Sequence, residues 1–344
     1  MGALTFLYLT QEEVAACGGA DMRRTVEDVE EVFRLIAAGD YVLPFKVVLR
    51  WGGVETEATR GRINAMPGYI GGRYRMGGIK WIAGFPANPS RHGLPRAAGV
   101  IVLNDPERGV PLAVMDGTLI SAMRTGAVTG VAAKYLARQE AKVGALVGAG
   151  VQSRTQLLAL QVALPRLREI RVYDVQAEKS QAFAEEMRRM TGLQVRAAAS
   201  LDACLDGAEV VVTATTSRQP FLRASQVPPG SLVSQVGGME CHQDVVLQAD
   251  KVVVDNLDQL VHRGAQTLAQ MVAQGRFPRE RLHAELPEVV SGRKPGRQTS
   301  TETIFFGSVG MGIEDVACAT RVYREAQERG AGQRLKLWDR PFAM

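Results

Sequence analysis

The chain has 344 residues, longer than the ~250 to 300 at which a single core usually stops growing, so two domains are expected. Hydrophobic residues make up 46% and charged ones 22%, which excludes a disordered or fibrous chain and fits a soluble enzyme-like class. The formal charge is +5, yet 36 acids are interspersed with 41 Lys and Arg and no basic stripe with stacking aromatics is present, so the expected anionic partner is a small molecule and not nucleic acid.

The N-terminal "MGALTFLYLTQEEV" lacks a basic leader, and its apolar run is too short to span a membrane. Cys17, Cys204, Cys241 and Cys318 lie far apart, in no metal-binding spacing. A reduced, cytoplasmic protein with no anchor and no metal is expected. After the strand-like "TFLYL", the stretch from "TQEEVAACGG" to "VEEVFRLIAAGD" reads as helices, with Thr10 as N-cap and Gly39 as stop. "KVVLRW", "RINAMPGYI", "GIKWIAGF" and "AGVIVLND" have the period and β-branched content of strands, so the first third reads as α+β with a largely antiparallel sheet. "SAMRTGAVTGVAAKYLA" reads as a long helix leading out of that domain.

From residue 141 strands and helices alternate, and short apolar runs between helices predict a parallel sheet covered on both faces. "TIFFGSVGMGIEDVACATRVYREAQERG" then gives a strand, a Gly-rich turn and a long helix that carries the chain back. The expected fold is α/β: a Rossmann-type NAD-binding domain over 125–316, and a discontinuous α+β domain over 1–124 and 317–344.

Gly148-Ala149-Gly150-Val151-Gln152-Ser153 follows a strand and opens a helix, where Gly148 permits the tight turn and Gly150 lets pyrophosphate approach the amides of the helix start at Val151 and Gln152. Ser153 departs from the third glycine of the fingerprint. Asp174 ends the next strand, where a carboxylate accepts ribose hydroxyls and repels a 2′-phosphate, so NAD is favoured over NADP. Thr215 and Thr216 end the strand "VVTATT" at the same edge and line the cofactor cleft. Strand "SLVSQVG", with Gly237 as a further cofactor contact, runs into Gly238-Met239-Glu240-Cys241-His242. Glu240 or His242 there would carry protons to or from an amine or imine, the alternative being a loop that caps the next helix with His242 exposed.

Between Glu57 and Asp105 the chain holds no carboxylate but seven cations: Arg60, Arg62, Arg73, Arg75, Lys80, Arg91 and Arg96. Lys80 interrupts an apolar strand, and Arg124 interrupts a run of small residues that should be buried. A buried arginine needs a carboxylate or phosphate. A substrate or cofactor group is the expected partner, with an internal bridge, to Asp116 for example, as the alternative. Arg50, in an alternating strand, faces either ligand or solvent, and the turn arginines are expected to be solvated.

"GIKWIAGFPANPSRHGLPRAAGVIVLNDPERGVPLAVMDGTLISAMRTGAV", "VGAGVQS", "VYD" and "VGMGIEDVA" resemble the ornithine cyclodeaminase/mu-crystallin family over almost the entire chain. The resemblance implies that Lys80 contacts the substrate, that Arg50 binds a substrate carboxylate, that Arg124 lies between substrate and cofactor, and that Arg96 stands near a cofactor contact. It also implies a homodimer and NAD-dependent chemistry at a carbon bearing an amine, on a small amino-acid or keto-acid substrate. Met239 stands where cyclodeaminases carry a catalytic aspartate, so ornithine cyclisation is not expected. A ketimine or imino-acid reductase or an ornithine cyclodeaminase of the same family, and a non-catalytic, crystallin-like NAD binder, are the alternatives.

Overall fold

The computed structural model describes residues 2–50 and 61–342. The chain divides into two compact units, Met1–Arg124 with Met311–Met344, and Thr125–Gly310. The return to the first unit thus comes at Met311 and not at position 317. Its cause is local: a Cβ at Gly312 would lie 2.4 Å from the Met66 carbonyl, so the start of the last helix is already seated on the first unit's sheet.

In the first unit, Thr10 caps the opening helix in a capping box with Glu13, and Gly39 ends the Met22–Ala38 helix in the left-handed conformation with φ 77°. The strands are β1 (Leu4–Leu9), β2 (Tyr41–Val42), β3 (Val47–Leu49), β4 (Arg62–Ile70), β5 (Met76–Gly84), β6 (Ala97–Asn104) and β7 (Pro111–Asp116), with β16 (Gln333–Trp338) from the C-terminal segment. Their order is β16-β1-β7-β6-β5-β4-β2, with β3 also on β4, and every pair is antiparallel except β1 with β7. Alternation along β4, β5 and β6 turns Met66, Lys80, Ile82 and Ile101 to one face, which the Gly312–Arg329 helix covers. The opposite face keeps Tyr8, Trp81 and Val100 exposed, and Trp81 pairs in register with Val100.

The second unit carries β8 (Val143–Val147), β9 (Glu169–Tyr173), β10 (Gln194–Ala197), β11 (Val210–Thr213), β12 (Leu232–Gln235), β13 (Lys251–Val254), β14 (Ala284–Glu285) and β15 (Ile304–Gly307). The order is β10-β9-β8-β11-β12-β15-β13-β14 and all pairs are parallel. Strands β11, β12, β13 and β15 are buried along their whole length, which is why most of their residues are apolar and do not alternate with polar ones. The order reverses between β8 and β11, and at that switch point the carboxyl ends of an open α/β sheet form a ligand crevice.

Candidate active site

At the carboxyl end of β8, Gly148 has φ +103°, and a Cβ there would lie 2.7 Å from the Ala214 carbonyl. Only glycine fits. Gly150 caps the Val151–Ala163 helix with backbone alone, and a Cβ at Gly150 would meet nothing within 4 Å, so the helix start is open to an anion. Val151 is exposed and Gln152 half-buried at that opening. Ser153 occupies the third fingerprint position because its buried hydroxyl donates to the Gly148 carbonyl at 2.6 Å, pinning helix to turn. Asp174 directly follows β9 beside the loop: Oδ2 accepts from the Ala149 amide and Oδ1 from the Gln176 amide, both at 3.0 Å. Each oxygen keeps a further lone pair for a ribose hydroxyl. The shape and donor set fit a dinucleotide.

Glu240 is not placed as a proton carrier. Its carboxylate is fully buried and accepts from the Thr213 hydroxyl at 2.7 Å, the Thr215 hydroxyl at 2.8 Å, the Gly237 amide at 2.8 Å and the Thr215 amide. Burial pushes its carboxyl above the usual range, against those four bonds. It brackets the loops after β11 and β12, and a Cβ at Gly237 would lie 2.4 Å from the bracket itself. Thr215 therefore spends its hydroxyl and amide on Glu240, while Thr216 is exposed. His242 is half-buried and stands at the N-cap of the short Gln243–Gln248 helix without a capping bond from its side chain. It borders an open cavity of about 370 Å³ with Arg223, Met239 and Asp244.

In the first unit a buried charge cluster is built from residues far apart in sequence. Lys80 is 1% exposed in β5, and its register neighbours Met66 and Ile101 are buried and apolar. Its Nζ donates to Ser121 Oγ at 2.9 Å and pairs with Asp315 Oδ2 at 2.7 Å. Arg124, 6% exposed, donates Nε to Asp315 Oδ1 at 3.0 Å and Nη1 to Glu314 Oε2 at 2.8 Å. The expected buried cation therefore has internal partners, but they are Glu314 and Asp315. Asp116, the last residue of β7, instead accepts the Leu119 amide at 2.9 Å in the first turn of the Thr118–Leu136 helix. Burial and the Arg124 charge lower the Lys80 pKa to about 8, with Asp315 and Glu314 opposing them.

Arg50 is exposed just past β3, and Arg96 is exposed before β6. Neither side chain has an ion pair among the described residues. Of the other cations in the acid-free stretch, Arg73 bonds buried Asp28 at 3.1 Å and Arg75 bonds exposed Glu107 at 3.1 Å. Arg60 lies outside the described residues. Ser121, Glu314 and Asp315 were not among the residues singled out from sequence. The available signal was the acid pair of "GIEDVA", set in a run that is otherwise apolar. Among the described residues, no cluster of His, Cys, Asp and Glu forms a metal site, the four cysteines are buried and free, and no helix is long and apolar enough to cross a membrane.

The profile of the ornithine cyclodeaminase/mu-crystallin family matches residues 8–330. The chain is 36% identical over 333 residues to the N-((2S)-2-amino-2-carboxyethyl)-L-glutamate dehydrogenase of Staphylococcus aureus, covering 96% of this chain and 98% of that one. Among solved structures it is similar to the Delta(1)-pyrroline-2-carboxylate reductase of Thermococcus litoralis in complex with NADH and L-proline, with a TM-score of 0.87, 32% identity and coverage of 96% and 100%. It is also similar to an archaeal alanine dehydrogenase dimer with bound NAD, with a TM-score of 0.86, 34% identity and coverage of 97% and 100%.

Proposed function

The chain belongs to the ornithine cyclodeaminase/mu-crystallin family, and from that membership we propose that it is an NAD-dependent oxidoreductase acting on the C–N bond of N-(2-amino-2-carboxyethyl)-L-glutamate or a close analogue. The products are 2,3-diaminopropionate, a siderophore building block, and 2-oxoglutarate. The carrying observation is the buried Lys80 amine, poised near pH 8 between Ser121 and Asp315. A lysine whose pKa falls at about 8 reaches the free base just above neutrality and exchanges protons with a substrate amine, and an unperturbed one does not.

NAD, when bound, would supply the hydride acceptor; Gly148, Gly150, Val151 and Gln152 would hold its pyrophosphate, Asp174 its ribose, and Thr215, Thr216 and Gly237 would line its site. Lys80 as free base takes a proton from the secondary ammonium of the substrate. The nitrogen lone pair then drives hydride departure from the α-carbon, leaving an iminium. Water adds to that carbon, the C–N bond breaks, and a keto acid and a primary ammonium leave. Arg50, Arg96 and the remaining Nη2 donors of Arg124 receive carboxylates, of which this substrate has three; bidentate cations fix orientation as well as charge. His242 shuttles protons with water. The exposed apolar face of Tyr8, Trp81 and Val100 supports a homodimer through the first unit's sheet.

An NADH-absorbance screen over N-(2-amino-2-carboxyethyl)glutamate, ornithine, lysine, alanine and cyclic imines tests the reading. Turnover of the first and none of ornithine is expected. Reduction of cyclic imines alone would refute the substrate and favour an imino-acid reductase. Lys80→Met is expected to lower kcat/KM by ~10²- to 10⁴-fold, the usual worth of a positioned acid–base group.

A further inference from the structure

We propose that Asp315 is the positioning residue of this reaction, the one carboxylate that holds the Lys80 amine against Ser121 on one side and ties it to Arg124 on the other, fixing its aim and its charge. The inference rests on the proposed role of Lys80 and extends it to residues with no assigned part.

The geometry is specific. Oδ2 of Asp315 sits 2.7 Å from Lys80 Nζ while Oδ1 accepts from Arg124 Nε at 3.0 Å, so a single carboxylate spans both cations. Ser121 and Arg124 lie three residues apart on one helix face, which brings the hydroxyl to Nζ from the same side as the guanidinium. Asp315 and Glu314 occupy the first turn of the Gly312–Arg329 helix, where its dipole favours negative charge. Glu314 is anchored separately, accepting from the Met311 amide at 3.1 Å and from Arg124 Nη1 at 2.8 Å.

A purely structural account leaves Lys80 unexplained. Arg124 already neutralises much of the acid pair, and an apolar residue between Met66 and Ile101 would stabilise the sheet more than a buried ammonium does. Nζ donates to Ser121 and is ion-paired with Asp315, so two sides of the ammonium are covered. Among the described residues, the charged groups acting on Nζ are Asp315 and Glu314 from one helix and Arg124 from the other, and its strand neighbours Met66 and Ile101 carry no charge. With Lys80 protonated these four side chains sum to zero charge, and with Lys80 neutral they leave one net negative. Asp315 is therefore the group that keeps the proton within reach against burial and Arg124.

The test is the pH profile of amine oxidation in wild type, D315N and S121A, with a direct titration of Lys80 in protein carrying 13C-labelled lysine, its signal identified by its loss in K80M. NADH binding, followed by fluorescence, reports folding of the second unit. In D315N the rise of kcat/KM with pH and the Lys80 signal are both expected to move down by about one to three units, the effect of losing an adjacent opposite charge. The optimum kcat/KM is expected to fall about a hundredfold as the aim is lost. D315E restores the limb, and S121A moves it in the same direction by less. A D315N protein that binds NADH and titrates as wild type does would overturn the proposal. If D315N does not fold, an unmoved limb and Lys80 signal in S121A overturn it instead. If wild type oxidises no amine, the proposed function fails on its own, and the Lys80 titration, which needs no turnover, still decides the role of Asp315.

Discussion

At Lys80, burial and the Arg124 guanidinium favour the free amine, Asp315 and Glu314 favour the ammonium, and the balance falls at about 8. Oxidation needs the free base, so kcat/KM for the amine rises with pH and levels off above about 8; reduction of the imine needs the ammonium and falls over the same range. Initial rates in both directions check this, and two profiles that rise together would contradict it. Glu240 gives a different outcome. Glu240→Ala leaves the Thr213, Thr215 and Gly237 donors unpaired, which is expected to cost about 1–3 kcal/mol per stranded group and to raise KM for NAD, read as a lower Tm and a weaker cofactor titration. Lys80 and Arg124 were legible because a cation in an apolar pattern stands out. Their partners were not, since Asp315 is 191 positions from Arg124 and an acid in the first turn of a helix needs no partner to explain it. Glu240 was misjudged because an acid in a loop beside a ligand edge looks the same whether it faces outward or brackets the loop from inside.

The strand–turn–helix element around Gly148 was the most legible part of the chain, because every residue it requires is contiguous. Its strength follows from the steric facts at one position: φ +103° and 2.7 Å from a missing Cβ to the Ala214 carbonyl. Gly148→Ala is therefore expected to displace the turn and abolish NADH binding, measured by fluorescence titration; retention of wild-type affinity would show that the loop is not the pyrophosphate cradle. The Ser153 departure costs nothing at this level, since its hydroxyl bonds the Gly148 carbonyl where a glycine would only make room. The boundary of the last helix was less legible. The sequence shows where "VGMGIEDVA" turns helical, but only the close approach of Gly312 to the Met66 carbonyl shows which unit it joins.

At the scale of the molecule, the alternating rhythm after residue 141 announced the parallel sheet, and the α+β character of the first third was equally plain. What the sequence does not display is which face of the first sheet stays bare, because the pairing of Trp81 with Val100 depends on register between strands. If the proposed homodimer forms through this face, Trp81→Asp is expected to shift the protein toward monomer in analytical ultracentrifugation while leaving NADH binding intact; an unchanged sedimentation coefficient would count against that interface. In the proposed reaction, hydride leaves the α-carbon of an N-substituted amino acid. Its most direct measurement uses N-(2-amino-2-carboxyethyl)glutamate deuterated at the glutamate α-carbon, with mass analysis of the reduced cofactor. Deuterium in NADH, with stoichiometric 2-oxoglutarate and 2,3-diaminopropionate, is expected. NADH formed without deuterium, or no NADH at all, would contradict it.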